Sequence, residues 1–282
     1  MPLGRKSWNA PRVGREASRR RGNGAIYVSL TSIFQNQSRL VRTLQSMLDQ
    51  SLRPDAIFLH LSSEPYLKDA GFSGRRITDR ELGAFLERHE ALVHVRWVEN
   101  TGPYRKLVPL LGDLVDGRLS DASAARIITI DDDLEYHPDT VASLVESGAP
   151  CACLRGFEMR LDHPSKLSEW GYFQRTRLSS GSSVLNFATG VGGILYTVPA
   201  FARTLDLLRD DTMYRECCPT NDDIWFNFLR IVNEVPMTII DAPYVKQDLT
   251  NYTTSLWLGF NNERNNEQIR VTSRRLREQG LL

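Results

Sequence analysis

The stretch "IITIDDDLEYHPD", residues 127–139, runs from β-branched apolar residues straight into three consecutive aspartates. Its first half has the composition of a buried strand. Adjacent carboxylates repel one another and lose hydration on burial, so the cluster needs a partner: water at an exposed turn, an arginine or lysine, or a cation. In extended backbone, residues two apart point the same way, so Asp131 and Asp133 are expected to converge on one ligand. Two carboxylates and a pyrophosphate offer the hard oxygens that Mg2+ or Mn2+ requires. The competing reading is an acidic turn with an aspartate capping the next helix.

Working outward, strand and helix patterns alternate. "AIYVSLTS" (25–32) and "AIFLHL" (56–61) read as strands, and "LVHVRWV" (92–98) alternates as a strand should. Between them "QSRLVRTLQSMLDQ" (37–50) places Leu40, Val41, Leu44, Met47 and Leu48 on one helical face. Thr78 and Glu81 have the spacing of a capping box for a helix through His89. "TGPYRKLVPLLGDLV" (101–115) predicts a helix opened by Pro103 and disturbed at Pro109. A further helix is expected from a first turn at Pro138 to Gly148. This order predicts crossover helices on a sheet, with Asp131, Asp132 and Asp133 at its C-terminal edge, where ligands bind in open α/β sheets.

The second half is less regular. "SEWGYFQRTRLSSGSS" (168–183) reads as a long loop, and "FATGVGGILY" (187–196) as a glycine-interrupted strand that a ligand or another backbone approaches closely. "NDDIWFNFLRIVN" (221–233) is helical by period, with Asn221 as cap and Ile224, Phe228, Ile231 and Val232 for packing. Asp222 and Asp223 suit the helix dipole, but one acid would suffice for that. A second carboxylate is placed to accept a proton or a sugar hydroxyl. Arg39, Arg42, Arg105 and Lys106 lie near helix starts, where backbone N–H groups also face anions.

The chain has 282 residues with 41% hydrophobic and 24% charged residues, ordinary for a soluble globular enzyme of one large domain or two joined lobes. Its net charge of +1 gives no pull toward nucleic acid. The charge is uneven, because residues 1–24 hold seven basic side chains against the single acid Glu16 without apolar periodicity, the composition of a disordered basic arm. No apolar run approaches a spanning helix and the N-terminus lacks a secretory pattern, so a cytoplasmic protein is expected. Cys151, Cys153, Cys217 and Cys218 fit reduced core thiols better than a zinc site or a disulfide framework.

Taken in order, "YVSLTSI", "QSMLDQSLRPDAIFLHLS", "NTGPYRKLVPLL", "IITIDDDLEYHPD", "FATGVGGILY" and "CPTNDDIWF" resemble bacterial glycosyltransferases of the GT-A fold. The likeness is to a family 2-like group common among enzymes that build capsules and other surface polysaccharides, and it spans about residues 25–245. It implies an α/β, Rossmann-like single domain with a central mixed, largely parallel sheet flanked by helices. It divides the chain into the arm, a nucleotide-sugar-binding half over 25–135, an acceptor-binding and catalytic half over 136–260, and a helical tail over 261–282.

The resemblance also implies roles. Thr31 and Arg39 would hold the nucleotide, Lys106 would lie near its base or phosphates, and Asp132 would join the donor site. Asp131 and Asp133 would take Mn2+ or Mg2+ and the ribose, in the manner of a DXD motif. Gly192 and Gly193, within the stretch 190–193, would wall the donor sugar. Asp223 would be the general base and Asp222 would position acceptor or donor sugar. The implied reaction moves a sugar from a nucleotide diphosphate, expected to be a UDP-sugar, to a hydroxyl of a glycan or lipid-linked acceptor, with inversion. The arm would add weak contact with the inner face of the membrane, and no nucleic acid partner is expected.

The chain departs from the pattern in having no histidine after His163, so water, Gln247 or Asp248 is left as third metal ligand. "NDDIWFNFL" is also similar to exostosin-like glycosyltransferases, which retain configuration, and this keeps the stereochemistry open. Two further alternatives are a sugar-nucleotide pyrophosphorylase, though "SLTSIFQNQSR" lacks its glycine-rich loop, and a noncatalytic carbohydrate- or nucleotide-binding module.

Overall fold

A computed structural model describes residues 24–120, 122–159, 177–251 and 253–282. The expected basic arm, apart from Gly24, and residues 168–176 of the expected loop lie outside these. The first half is a parallel β/α unit. Strands β1 (Ile26–Thr31), β2 (Ala56–Leu61), β3 (Val93–Trp97) and β4 (Arg126–Thr129) pair in the order β3-β2-β1-β4, all parallel. Helices α1 (Gln37–Leu48), α2 (Arg80–Arg88) and α3 (Val108–Val115) make the crossovers. Both faces of this sheet are covered, which is why β2 is buried along its whole length.

Alternate residues of each strand feed two cores. Tyr27, Phe58 and Ile127 pack on one side, while Val28, Leu59 and Ile128 pack on the other with Leu40, Leu44 and Met47 of α1. Full burial of each such aliphatic side chain stabilises by about 1.5–3 kcal/mol. Val41 and Leu48, on the same predicted face, are partly buried against that core.

The second half completes the sheet and adds two small ones. After β5 (Leu134–Tyr136) and α4 (Thr140–Glu146) come β6 (Cys151–Cys153), β7 (Gly156–Glu158), β8 (Arg177–Leu178), β9 (Gly181–Ser183), β10 (Asn186–Ala188) and β11 (Ile194–Thr197). Helices α5 (Leu205–Arg209), α6 (Asp211–Cys217) and α7 (Asp222–Val232) precede β12 (Met237–Ile239) and β13 (Val245–Asp248), and α8 (Asn262–Glu278) follows. The main sheet of eight strands runs β3-β2-β1-β4-β11-β6-β12-β9, with β11 antiparallel to both neighbours and β9 antiparallel to β12. Strands β10-β7-β8 and β13-β5 form separate antiparallel sheets. The fold is thus α/β with a central mixed, mostly parallel sheet flanked by helices.

Several local expectations change. Asp79, not Thr78, caps α2 by accepting from the Leu82 N–H at 2.9 Å, while the Thr78 hydroxyl is engaged by Gln37 Nε2, which donates to it at 3.2 Å. The stretch around Pro103 and Pro109 is a 3-10 turn (Gly102–Lys106) joined to α3 at Leu107. Helix α4 starts two residues after Pro138, at Thr140, and the chain leaves it at Gly148 with φ +64°. "FATGVGGILY" is two strands in different sheets, β10 and β11, separated by a 3-10 turn over Gly190–Gly192. Residues 177–183, expected as loop, include β8 and β9.

All four cysteines are free and buried, and burial pushes the Cys151 and Cys153 thiols up to about 12, as befits unreactive core residues. Among the described residues no helix is long and apolar enough to cross a membrane.

Candidate functional site

Strand β4 ends at Thr129, so Asp131 emerges at the C-terminal edge of the parallel strands, as expected. The backbone then turns at Asp132 and Asp133 and enters β5 rather than a helix. The turn removes the extended geometry on which convergence of Asp131 and Asp133 was predicted, and no helix follows for either to cap. The Tyr136 hydroxyl accepts the Asp131 N–H at 2.9 Å and fixes the bend.

Lys106, at the end of the 3-10 turn after β3, points its ammonium between two acidic motifs. Its Nζ lies 3.0 Å from Asp131 Oδ1 and 3.1 Å from Asp222 Oδ2, with the Lys106 and Asp222 side chains 8% and 7% exposed and Asp131 28%. Asp222 opens α7, whose cap Asn221 accepts from the Ile224 N–H at 3.4 Å as the sequence predicts. Asp223, next on the helix, faces the glycine turn, where its Oδ2 accepts the Gly190 N–H at 3.0 Å. Its Oδ1 is buried without a hydrogen-bond partner. Asn227 holds the helix against β10, exchanging bonds of 3.0 and 2.9 Å with the Ala188 backbone.

Gly190 makes this approach sterically feasible. A Cβ there would lie 2.9 Å from Lys106 Nζ and 3.1 Å from Asp131 Oδ1, so any side chain would press on the ion pair. Gly192 and Gly193 act differently: a Cβ on Gly192 would meet the Arg155 backbone nitrogen at 2.7 Å, and Gly193 has φ +76°. These two shape the turn, and a Cβ on either would meet neighbours other than the carboxylates.

The electrostatics follow from burying several acids around one base. For Lys106 burial opposes the charge, but Asp131, Asp222 and Asp223 outweigh it and hold the ammonium well above its ordinary pKa. Burial, reinforced by Asp223 and Asp131, pushes Asp222 up to about 7 despite Lys106. Asp223 is also raised, by burial first and then by Asp131. Asp133 is pushed up to about 7 by burial and by repulsion from Asp132 and Asp131.

The remaining predicted residues divide. Asp132 turns to the β1–α1 loop, accepting from Ser32 Oγ and, at 3.1 Å, from Asn36 Nδ2. Thr31 stands at the end of β1 with its hydroxyl on the His60 carbonyl at 2.8 Å. Arg39, on α1, has a buried Nη1 without a partner, whereas Arg42 is engaged by Glu135 at 2.7 Å and Gln247 at 2.5 Å. Arg105 is no anion site: it is 1% exposed and bonded to Asp69, Ser62 and the Gly102 carbonyl. Ser32, Asn36, Tyr136 and Asn227 were not legible as site residues, since single polar residues in loops or helices carry no spacing signal.

The described residues contain no group of three or more His, Cys, Asp or Glu placed to hold a metal by themselves. Asp132 and Asp131 lie near enough to raise Asp133, and Lys106 Nζ already sits 3.0 Å from Asp131 Oδ1; carboxylate oxygens are the donor type that hard divalent cations take. Of the two protein groups considered as third ligand, Gln247 is taken by Arg42, while Asp248 lies near enough to raise Asp133.

No protein-family model matches the sequence, and no curated protein is a significant match. Solved structures with a similar backbone include a 4-diphosphocytidyl-2C-methyl-D-erythritol synthase, with TM-score 0.48 and 12% identity over 82% of this chain and 95% of that one. Residues 1–349 of S. aureus TarS in complex with UDP-GlcNAc give TM-score 0.47 and 12% identity over 82% of this chain and 61% of that one. The same TarS fragment in complex with UDP gives TM-score 0.44 and 12% identity, covering 78% and 59%. At these scores the likeness assigns no activity to this chain.

Proposed function

We propose that the protein is a metal-dependent glycosyltransferase of GT-A type, moving a sugar from a nucleotide diphosphate donor, a UDP-sugar in the simplest case, to a hydroxyl of a glycan or lipid-linked acceptor. The observation that carries the reading is Lys106, bridging Asp131 at the sheet edge to Asp222 at the start of α7. That bridge joins a donor-side carboxylate to the pair that would face the acceptor.

Asp131 and Asp133 would hold Mn2+ or Mg2+, which when bound supplies Lewis-acid stabilisation to the departing diphosphate. Thr31, Arg39 and Asp132, on the β1 side of the site, would take the nucleotide, and Gly192 and Gly193 would wall the donor sugar. Lys106 keeps Asp222 and Asp131 from repelling one another and adds positive charge near the leaving group. Asp223 is the general base. Its Oδ2 is anchored on the Gly190 N–H, and its Oδ1 has no hydrogen-bond partner but is buried, so the acceptor hydroxyl reaches that oxygen only once the site opens to admit the sugar. A carboxylate with a raised pKa is better matched to that task near neutral pH than an exposed one. A cytoplasmic setting with weak membrane contact through residues 1–24 suits a lipid-linked acceptor.

The test is incubation with a panel of nucleotide sugars, Mn2+ and candidate acceptors, scored for nucleotide diphosphate. Acceptor-dependent release supports transfer, and inversion at the anomeric carbon supports Asp223 as base. Turnover that requires or forms pyrophosphate would point to nucleotidyl transfer instead, and ligand binding without turnover to a binding module.

A further inference from the structure

The C-terminal helix α8 packs its polar residues, not only its apolar ones, against the loop that precedes the Asp222–Asp223 pair. Asn265 is 1% exposed and Gln268 5%, yet neither faces solvent or an ion. Gln268 Oε1 accepts the Thr220 N–H at 3.2 Å, and Asn261 Nδ2 donates to the Thr220 carbonyl at 3.1 Å. Asn221, the cap of α7, donates its Nδ2 to Asn265 Oδ1 at 2.9 Å.

The orientation of that last contact is forced. Asn221 commits its Oδ1 to the Ile224 N–H as helix cap, so its NH2 must face α8, and Asn265 must answer with oxygen. Asn265 Nδ2 is then left buried without a partner, as is Gln268 Nε2. Unpaired buried amides are unfavourable for folding. A contact serving stability alone would be better made by apolar side chains, whereas one that fixes the rotation of a cap residue needs this amide pair.

We infer that Asn265 is a positioning residue for the reaction: through Asn221 it sets the first turn of α7 and thereby aims the carboxylates of Asp222 and Asp223. The inference rests on the proposed role of those two acids. Asp222 must meet Lys106 at 3.1 Å while Asp223 meets the Gly190 N–H at 3.0 Å, so a small rotation of the turn breaks one or the other. Misplacement of a reacting group by about 1 Å can cost on the order of 100-fold in rate.

Three variants of the full chain test it. Asn265→Ala removes the acceptor, Asn265→Asp keeps an oxygen for Asn221, and Asn221→Ser keeps a cap oxygen but cannot reach Asn265. Turnover with acceptor should fall about tenfold or more in Asn265→Ala and Asn221→Ser, with donor KM within about twofold, and the two losses should not multiply in the double variant. Asn265→Asp should restore turnover to within about threefold of wild type. Amide exchange of the Asp222–Ile224 turn should quicken in Asn265→Ala relative to the rest of α7. Wild-type kcat in Asn265→Ala, or unchanged exchange in that turn, would overturn the positioning role while leaving the enzyme reading standing. Absence of nucleotide release by the wild type itself would overturn both.

Discussion

Lys106 Nζ lies 3.0 Å from Asp131 Oδ1, deep enough that the lysine side chain is 8% exposed. The same ammonium reaches Asp222, so one buried cation serves two acidic motifs. Lys106→Met removes it and leaves two carboxylates facing each other without a partner. Breaking a buried ion pair in this way typically costs about 3–5 kcal/mol. The cost should be smaller below about pH 7, where Asp222, pushed up to about 7 even with Lys106 present, takes a proton, than at pH 8. Denaturant unfolding at the two pH values checks this, and equal stability of variant and wild type at both would show that Lys106 is not holding the acids together.

Asp223 and Asp222 should separate kinetically. Asp223→Asn preserves shape and the bond from the Gly190 N–H while losing the proton acceptor, so turnover should drop on the order of 100-fold or more with donor affinity little changed. Asp222→Asn should be milder and act on sugar or acceptor binding. Steady-state kinetics on both variants decide the assignment, since the reverse ranking would exchange their roles and full activity in both would reduce the motif to a helix cap.

Gly190→Ala tests the close approach of the glycine turn. The added methyl would lie 2.9 Å from Lys106 Nζ, and although a lysine end is flexible, this one is held between two carboxylates. Turnover should fall at least about tenfold with a melting temperature within a few degrees of wild type. An active Gly190→Ala enzyme would mean that the Lys106 pair shifts without consequence.

Metal and pH should be linked. Asp133 and Asp222 sit at about 7 in the folded chain, above the ordinary carboxylate value of about 3.9. The folded protein therefore holds protons that the unfolded chain has released, and without metal its stability declines as pH rises between about 4 and 7. If Asp133 holds the metal as proposed, Mn2+ binding would require it ionised, so the rise in melting temperature on adding Mn2+ with nucleotide diphosphate should be larger at pH 8 than at pH 6. Asp133→Ala should abolish that rise, and a shift that persists in this variant would assign the turn a purely structural role.

Much of the scaffold is legible in the residues themselves. The apolar runs of β1 and β2, the face of Leu40, Leu44 and Met47, the Asn221 cap and the placement of Asp131 at the strand's end all follow from local periodicity and capping chemistry. These features depend on neighbours a few residues away, and so does the evidence for them. One small failure has a non-local root, because Thr78 lost the cap to Asp79 when Gln37 of α1 bonded its hydroxyl.

Which charged residue faces the site was a tertiary decision. Arg105 and Lys106 are adjacent and both basic, but a 3-10 turn rotates by about 120° per residue, sending one to Asp69 in the core and the other to Asp131 and Asp222. Asp222 and Asp223 are separated likewise by the rotation of α7, one to Lys106 and the other to Gly190. Asp131 and Asp133 could be recognised as candidate ligands from their spacing, but the turn after β4, pinned by Tyr136, set where they point. Long-range ion pairs and amide contacts such as Asn221–Asn265 form only when the sheet and α8 bring distant segments together, and no local pattern records them.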